Sequence, residues 1–305
     1  MPAAPSVSAL SGFEALSRAT GIALPPLLHA LLASGNTTYF PQWFDAWKDP
    51  EQPRVVPFLS WWDYEWINAE ESARGIAGWL HPEAQEGRRF LPFAQSGAGD
   101  LYCLVPDDAG NVGVALAWHD DDRCEIGHRT FDDFVYAQYL QTLSDASHLA
   151  DDYGALTAEA IATDIRSVSG LMDPQRGERL RQLCQRPLVL HDVRRGPRAC
   201  VEQVPAFISQ QELEGYLAEL AEPLPPFTIT MRYEMAACDH GNAAPPPPTP
   251  PPPPPPPPDW RELAKQPGTK MLAIRTYQQE CACTLAEAKQ AIDDFLASAR
   301  ENRLP

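Results

Sequence analysis

His119-Asp120-Asp121-Asp122, followed by His128, sets five metal-ligand side chains within ten residues of a 305-residue sequence. Histidine nitrogen and carboxylate oxygen together suit a divalent cation. Oxygen ligands in one tight run do not converge easily on a single ion, however, and a solvated turn accounts for the same residues. Ser96-Gly97-Ala98-Gly99 has the glycines of a phosphate cradle, but it joins two apolar runs of strand character. A phosphate loop needs a helix N-terminus behind it. Cys281 and Cys283 are one residue apart and have no further Cys or His at zinc spacing. The sequence holds no G-x-S-x-G, no Walker loop and no His-Glu-x-x-His. No nucleophile stands beside a base, and an enzyme acting through His119 or His128 lacks the rest of its machinery. The sequence therefore predicts a protein that is not an enzyme, with no cofactor and no metal.

The elements around these residues form one pattern. Phe90-Leu91-Pro92-Phe93-Ala94 is apolar and ends in the turn 95–100. Residues 101–105, Leu-Tyr-Cys-Leu-Val, have aromatic and β-branched character without helical spacing. Pro106-Asp107-Asp108-Ala109-Gly110-Asn111 is a second turn. Residues 112–118 make a third strand, ended by the acidic block 119–122, and 124–128 a short fourth. Thr130 then caps a helix whose first turn holds Asp132 and Asp133, where the helix dipole favours acids. Upstream, helices are expected over 11–20 and from Pro25 or Pro26 onward, with Leu27, Leu28, Leu31 and Leu32 as the buried stripe of the second. Asn68 should cap a helix over 68–79.

Aromatic residues crowd between 39 and 79. Most suit packing beneath the sheet, while Trp61-Trp62-Asp63-Tyr64 is left open between core and binding face. Two adjacent Trp in a strand must point to opposite faces.

This order of pieces resembles the SUKH superfamily, the fold of the yeast cell-wall regulator and of many bacterial toxin-immunity proteins. The carrying residues are Pro92-Phe93-Ala94, Gly99-Asp100 before the Tyr102 strand, 114–119, and the helix opened by Thr130-Phe131. An entry segment Ile22-Ala23-Leu24-Pro25-Pro26-Leu27-Leu28 precedes them. The resemblance covers roughly residues 10–145 and implies an α+β domain with a mainly antiparallel sheet flanked by helices. It also implies a protein-binding role, most often as an immunity protein against a secreted toxin.

Beyond residue 145 the sequence changes character. Residues 142–156 read as a connection or loose helix end. Helices are expected from Thr157 and from Asp173-Pro174, strands at 188–191, 200–204 and 227–231, a turn at 195–197, and a capping box at Ser209-Gln210-Gln211-Glu212. This piece, 146–240, reads as a small α/β extension of no recognised family that stands alone or completes the first domain. Residues 245–258 are thirteen prolines and Thr249, a polyproline II spacer within a linker over 241–258. Residues 259–305 resemble the helical half of the C-terminal domain of the ribosomal stalk protein, through Lys270, Ile274, Arg275, Leu285, Glu287, Ala288, Lys289 and Ile292. The resemblance implies a three-helix module docking a second protein through Arg275 and Lys289. Gln278 and Ala282 depart from it, at a basic and a glycine position. Position 283 matches an apolar core position of that module.

Seven cysteines at wide spacing argue against a disulfide framework and for a reducing compartment. The first ten residues lack the basic and apolar regions of a signal peptide, so a cytoplasmic location is expected. No apolar run is long enough for a membrane span. The net charge is −17, and residues 1–150 carry 8 Lys/Arg against 20 Asp/Glu, a net −12. Acids keep a surface soluble, and charge alone favours that reading. Such a field also repels nucleic acid and draws a cationic partner. The expected partner is a basic toxin domain such as a nuclease, met by Trp61, Trp62, Asp63, Tyr64, Glu65, Asp107, Asp108, Asp120, Asp121 and Asp122. Direct nucleic-acid and membrane binding are not expected. The alternative is an intracellular scaffold or regulatory adaptor using the sheet and the tethered module.

Overall fold

The structure, a computed structural model, describes residues 9–40, 43–49, 54–194, 200–230 and 259–265, with isolated positions between 273 and 296. The chain divides into two compact units, Met1–His240 and Gly241–Pro305.

In the first unit, α1 (Ala9–Thr20) buries Phe13, and α2 (Pro26–Ala33) starts on a proline and buries its four leucines. A capping box closes the start of α3 (Ala69–Ala77): the Asn68 side chain accepts from the Glu71 amide, and the Glu71 carboxylate accepts from the Asn68 amide. The sheet follows as β1 (Glu65–Trp66), β2 (Leu91–Gln95), β3 (Leu101–Pro106), β4 (Val112–Ala117) and β6 (Ile126–His128), in the order β1-β2-β3-β4-β6 with every pair antiparallel. The expected strand over 124–128 is broken at Glu125. Its first part, β5 (Arg123–Cys124), leaves the sheet and pairs with β9 (Phe227–Thr228).

Both faces of the sheet are covered, as the alternation along β3 requires. Cys103 and Val105 join Phe90, Ala115, Ala117 and Ile126 in a core closed by Trp79, Leu80 and Ile229. Leu104 faces the opposite core with Leu91, Phe93 and Val114, against α4 (Phe131–Ser144). Thr130 caps α4, accepting from the Asp133 amide at 3.0 Å.

α4 is apolar on nearly every side, the pattern of a helix enclosed by protein. Phe131, Phe134, Tyr136, Tyr139, Leu140 and Leu143 are all buried. Its second face is covered by α6 (Thr157–Ser169), α7 (Pro174–Leu183) and α8 (Gln210–Leu217), which contribute Ile161, Ile165, Val168, Leu180 and Leu213 to the same core. The region after 145 therefore completes the core of the sheet domain. Residues 142–156 are also more regular than expected, because α4 reaches Ser144 and α5 (Ser147–Tyr153) follows. The hairpin β7 (Val189–Arg194) and β8 (Val201–Ala206) is tied to the α4–α5 junction, where the Ala146 amide donates to the Pro205 carbonyl at 2.8 Å. The expected strand at 227–231 is described as strand only at 227–228, and the turn at 195–197 lies outside the described residues.

In the second unit, α9 (Trp260–Lys265) contributes Trp260, Leu263 and Ala264 to a small core with Ala273 and Ile292. The polyproline segment and most of the expected three-helix module lie outside the described residues.

Candidate partner-binding surface

Trp61 and Trp62 lie in a turn, not a strand, and they separate completely. Trp61 is 6% exposed and Trp62 is 70% exposed. Trp61 stacks on Phe58 and meets Tyr64, Phe134 and Tyr139 edge-on. It is thus a core residue. Tyr64 is also turned inward, its hydroxyl buried with no hydrogen-bond partner among the described residues, and burial drives its pKa well above the usual phenol value. Phe58 and Asp63 carry positive φ, 70° and 53°. Such angles are unusual for side chains of this kind. They fold the aromatic run back and leave Trp62 outward, its ring 5.5 Å from that of His148 on α5.

The turn is fixed from both sides. Asp63 accepts from the Gly97 amide at 2.6 Å, joining it to the β2–β3 hairpin, and Glu65 accepts from Gln95 at 2.9 Å. From beneath, Asp164 of α6 accepts from the Phe58 amide, the Ser60 amide, the Ser60 hydroxyl and the Tyr139 hydroxyl at 2.9, 2.9, 2.7 and 3.1 Å.

The acidic block lies at the same end of the sheet. The register Leu101↔Ala117 brings the end of β4 beside the start of β3. Asp100, fully buried, accepts from the His119 ring at 2.6 Å, from the His119 amide at 3.1 Å and from the Ser96 hydroxyl at 2.8 Å. Burial opposes its ionisation, but the bonds from Ser96 and His119 outweigh that and set its carboxyl below the usual range. Asp100, His119 and Asp120 bring metal-ligating atoms within 4.8 Å of one another. Ser96 and His119 already take both Asp100 oxygens, so a hydrogen-bonded turn accounts for the group. Asp120 and Asp122 are exposed, and exposed Asp121 also accepts from the Arg123 amide. Trp118, 45% exposed, opens a groove of about 480 Å³ running over Tyr102, Leu116, Glu125 and His128 to α4.

Asp107 and Asp108 are at the far end of β4, about 20 Å along the strand at ~3.4 Å per residue. Asp107 is engaged in its own turn, bonded first by the Asn111 side chain and also by the Asn111 and Ala109 amides. These bonds hold its carboxyl below the usual range. The structure thus gathers Trp62, Asp63, Glu65 and 120–122 at one end and sets Asp107 and Asp108 apart. Lys289 is an exposed helical position in the second unit, and Arg275 lies outside the described residues. Sequence reasoning missed Trp118 as a surface residue, because it continues an apolar strand run. It also missed Asp164, which makes three of its four hydrogen bonds to residues 58 and 60, more than 100 positions away.

Residues 10–137 match the SMI1 / KNR4 family (SUKH-1), which supports a SUKH domain over that stretch. No curated protein and no solved structure matches the chain. The family match does not reach residues 259–305. No helix among the described residues is long and apolar enough to cross a membrane.

Proposed function

We propose that this chain is an immunity protein that binds a cognate secreted toxin in the cytoplasm and neutralises it by occlusion. The observation that carries the reading is Trp62: a 70%-exposed indole on a firmly held turn, followed by Asp63 and Glu65, with the 120–122 block at the same end of the sheet. An exposed aromatic on a rigid turn loses little freedom on binding and suits a hot spot. The carboxylates at that end offer only acceptors, so they complement Lys and Arg on a basic domain such as a nuclease. The SUKH match over 10–137 fits a protein-binding role. On this reading the toxin is contacted directly, with no nucleic acid and no membrane.

A second reading, an intracellular scaffold or adaptor, draws on the separate core around Trp260 in the second unit. There Arg275 and Lys289 would dock a further protein, as in the stalk-protein resemblance. Capture from the source cells with wild-type chain and with Trp62→Ala separates the readings. The immunity reading expects a basic toxin domain held by wild type and lost by the variant. Recovery of an unrelated complex that is indifferent to Trp62 but lost on deleting 259–305 would favour the adaptor.

A further inference from the structure

Asp164 is fully buried and sits on α6, beyond the stretch that matches the family. Three of its four hydrogen-bond donors come from residues 58 and 60, all neutral groups. The Ser60 carbonyl is engaged as well, accepting from His148 Nε2 at 2.9 Å and from the Thr142 hydroxyl at 3.4 Å. Ser60 is therefore tied at its amide, its hydroxyl and its carbonyl by α4, α5 and α6. Without the carboxylate, two buried backbone N–H groups would lack acceptors. Phe58, at φ 70°, would lose the bond that holds it there. Trp61 and Trp62 follow directly, one turned inward and one outward.

We infer that Asp164 is a positioning residue, which sets the outward geometry of Trp62 from a part of the chain outside the SUKH-matching stretch. It acts through the turn and touches no partner. Burying a carboxylate is costly, and here burial raises its pKa to about 6 against the bonds from Ser60, Phe58 and Tyr139. A helix position facing a closed core is ordinarily filled by an apolar side chain. The carboxylate is instead matched donor for donor to the turn. Only the value of this positioning to a toxin rests on the function proposed above.

The test uses the full chain, free of any partner, so failure of the toxin reading leaves it intact. Backbone amide exchange is followed by NMR in wild type, Asp164→Asn and Ser60→Ala, with Trp62→Phe to assign the Trp62 indole signal. Asparagine keeps the shape but turns an amide donor toward the donors of Phe58 or Ser60. In wild type the Phe58 and Ser60 amides should exchange as slowly as those of β3 and β4, although they lie in a turn. In Asp164→Asn they should lose about tenfold or more of that protection, while β3 and β4 keep theirs and the Trp62 indole signal shifts. Ser60→Ala should do the same to a smaller degree, and it decides the matter if Asp164→Asn does not fold. Unprotected Phe58 and Ser60 amides in wild type would overturn the inference. So would variants in which these amides track the sheet, or in which the Trp62 signal stays in place.

Discussion

Trp61 and Trp62 are neighbours in sequence with opposite fates, and their stabilities should divide accordingly. Trp61→Ala should cost about 3–5 kcal/mol through the cavity left among Phe58, Phe134 and Tyr139. Trp62→Ala should stay within roughly 0.5 kcal/mol of wild type. Urea denaturation of both checks this, and equal losses would contradict the burial. The sequence offered a parting of the two rings only on the premise of a strand, and they lie in a turn; which one turns outward was not legible. The choice depends on positive φ at Phe58 and Asp63, and neither residue advertises it as a glycine would. Asp164 was equally hidden, one polar residue in an otherwise regular helical pattern, because its partners are brought to it only by the tertiary fold. Its raised pKa gives a signed expectation. The folded state holds the proton up to about 6, while an unfolded Asp loses it near ~3.9. The folded state therefore binds more protons between these values, and wild type gains stability relative to Asp164→Asn as pH falls through that window. The gain is roughly 3 kcal/mol at most, read from urea melts of both proteins at pH 7 and pH 4.5. A difference between them that does not change with pH would contradict the assignment.

At the scale of elements, local chemistry was the readable part. Asn68, Thr130, Asp173 and Ser209 each cap the helix expected of them, because a capping side chain and its amides are only two or three residues apart. The strands of the central meander were legible from turns rich in Gly, Asp and Pro. The break at Glu125 was not, because it depends on β9, about a hundred residues later, drawing β5 out of the sheet. Gly113 marks the place where β6 comes close. A methyl group there would meet the Ile126 side chain and, at 2.6 Å, the His128 carbonyl oxygen. The β4–β6 register also shifts next to it, between Val114 and Ala115. Gly113→Ala should therefore destabilise the fold by about 1–3 kcal/mol, since overpacking forces backbone movement. Thermal melting checks this, and an unchanged midpoint would show that β6 can yield at no cost. The same meander puts the turns at 107–111 and 119–122 at opposite ends of β4. Two acidic clusters that look alike in sequence therefore cannot serve one compact contact patch.

At the scale of the molecule, the core ignores the end of the family match. Leu140, Leu143, Ile161, Ile165, Val168, Leu180, Phe207 and Ile208 belong to the same core as Phe93 and Leu104. A chain of residues 1–145 should therefore fail to melt cooperatively, exposing the far side of α4, whereas 1–240 should melt within a few degrees of the full chain. Calorimetry on the two truncations decides between them. Composition revealed the charge imbalance, but only the fold shows which acids share an end with an exposed Trp. On the proposed reading, that end meets a basic toxin, the field governing encounter and Trp62 governing release. The most direct measurement is the binding kinetics of the captured toxin domain to wild type, to Trp62→Ala, and to the triple variant Asp120→Asn, Asp121→Asn, Asp122→Asn. The account predicts that association slows in the triple variant and as salt rises past ~0.1 M, where the Debye length is about 10 Å. It predicts that Trp62→Ala speeds dissociation about thirtyfold, the equivalent of ~2 kcal/mol. An association rate indifferent to salt and to the three carboxylates, with a dissociation rate indifferent to Trp62, would contradict it.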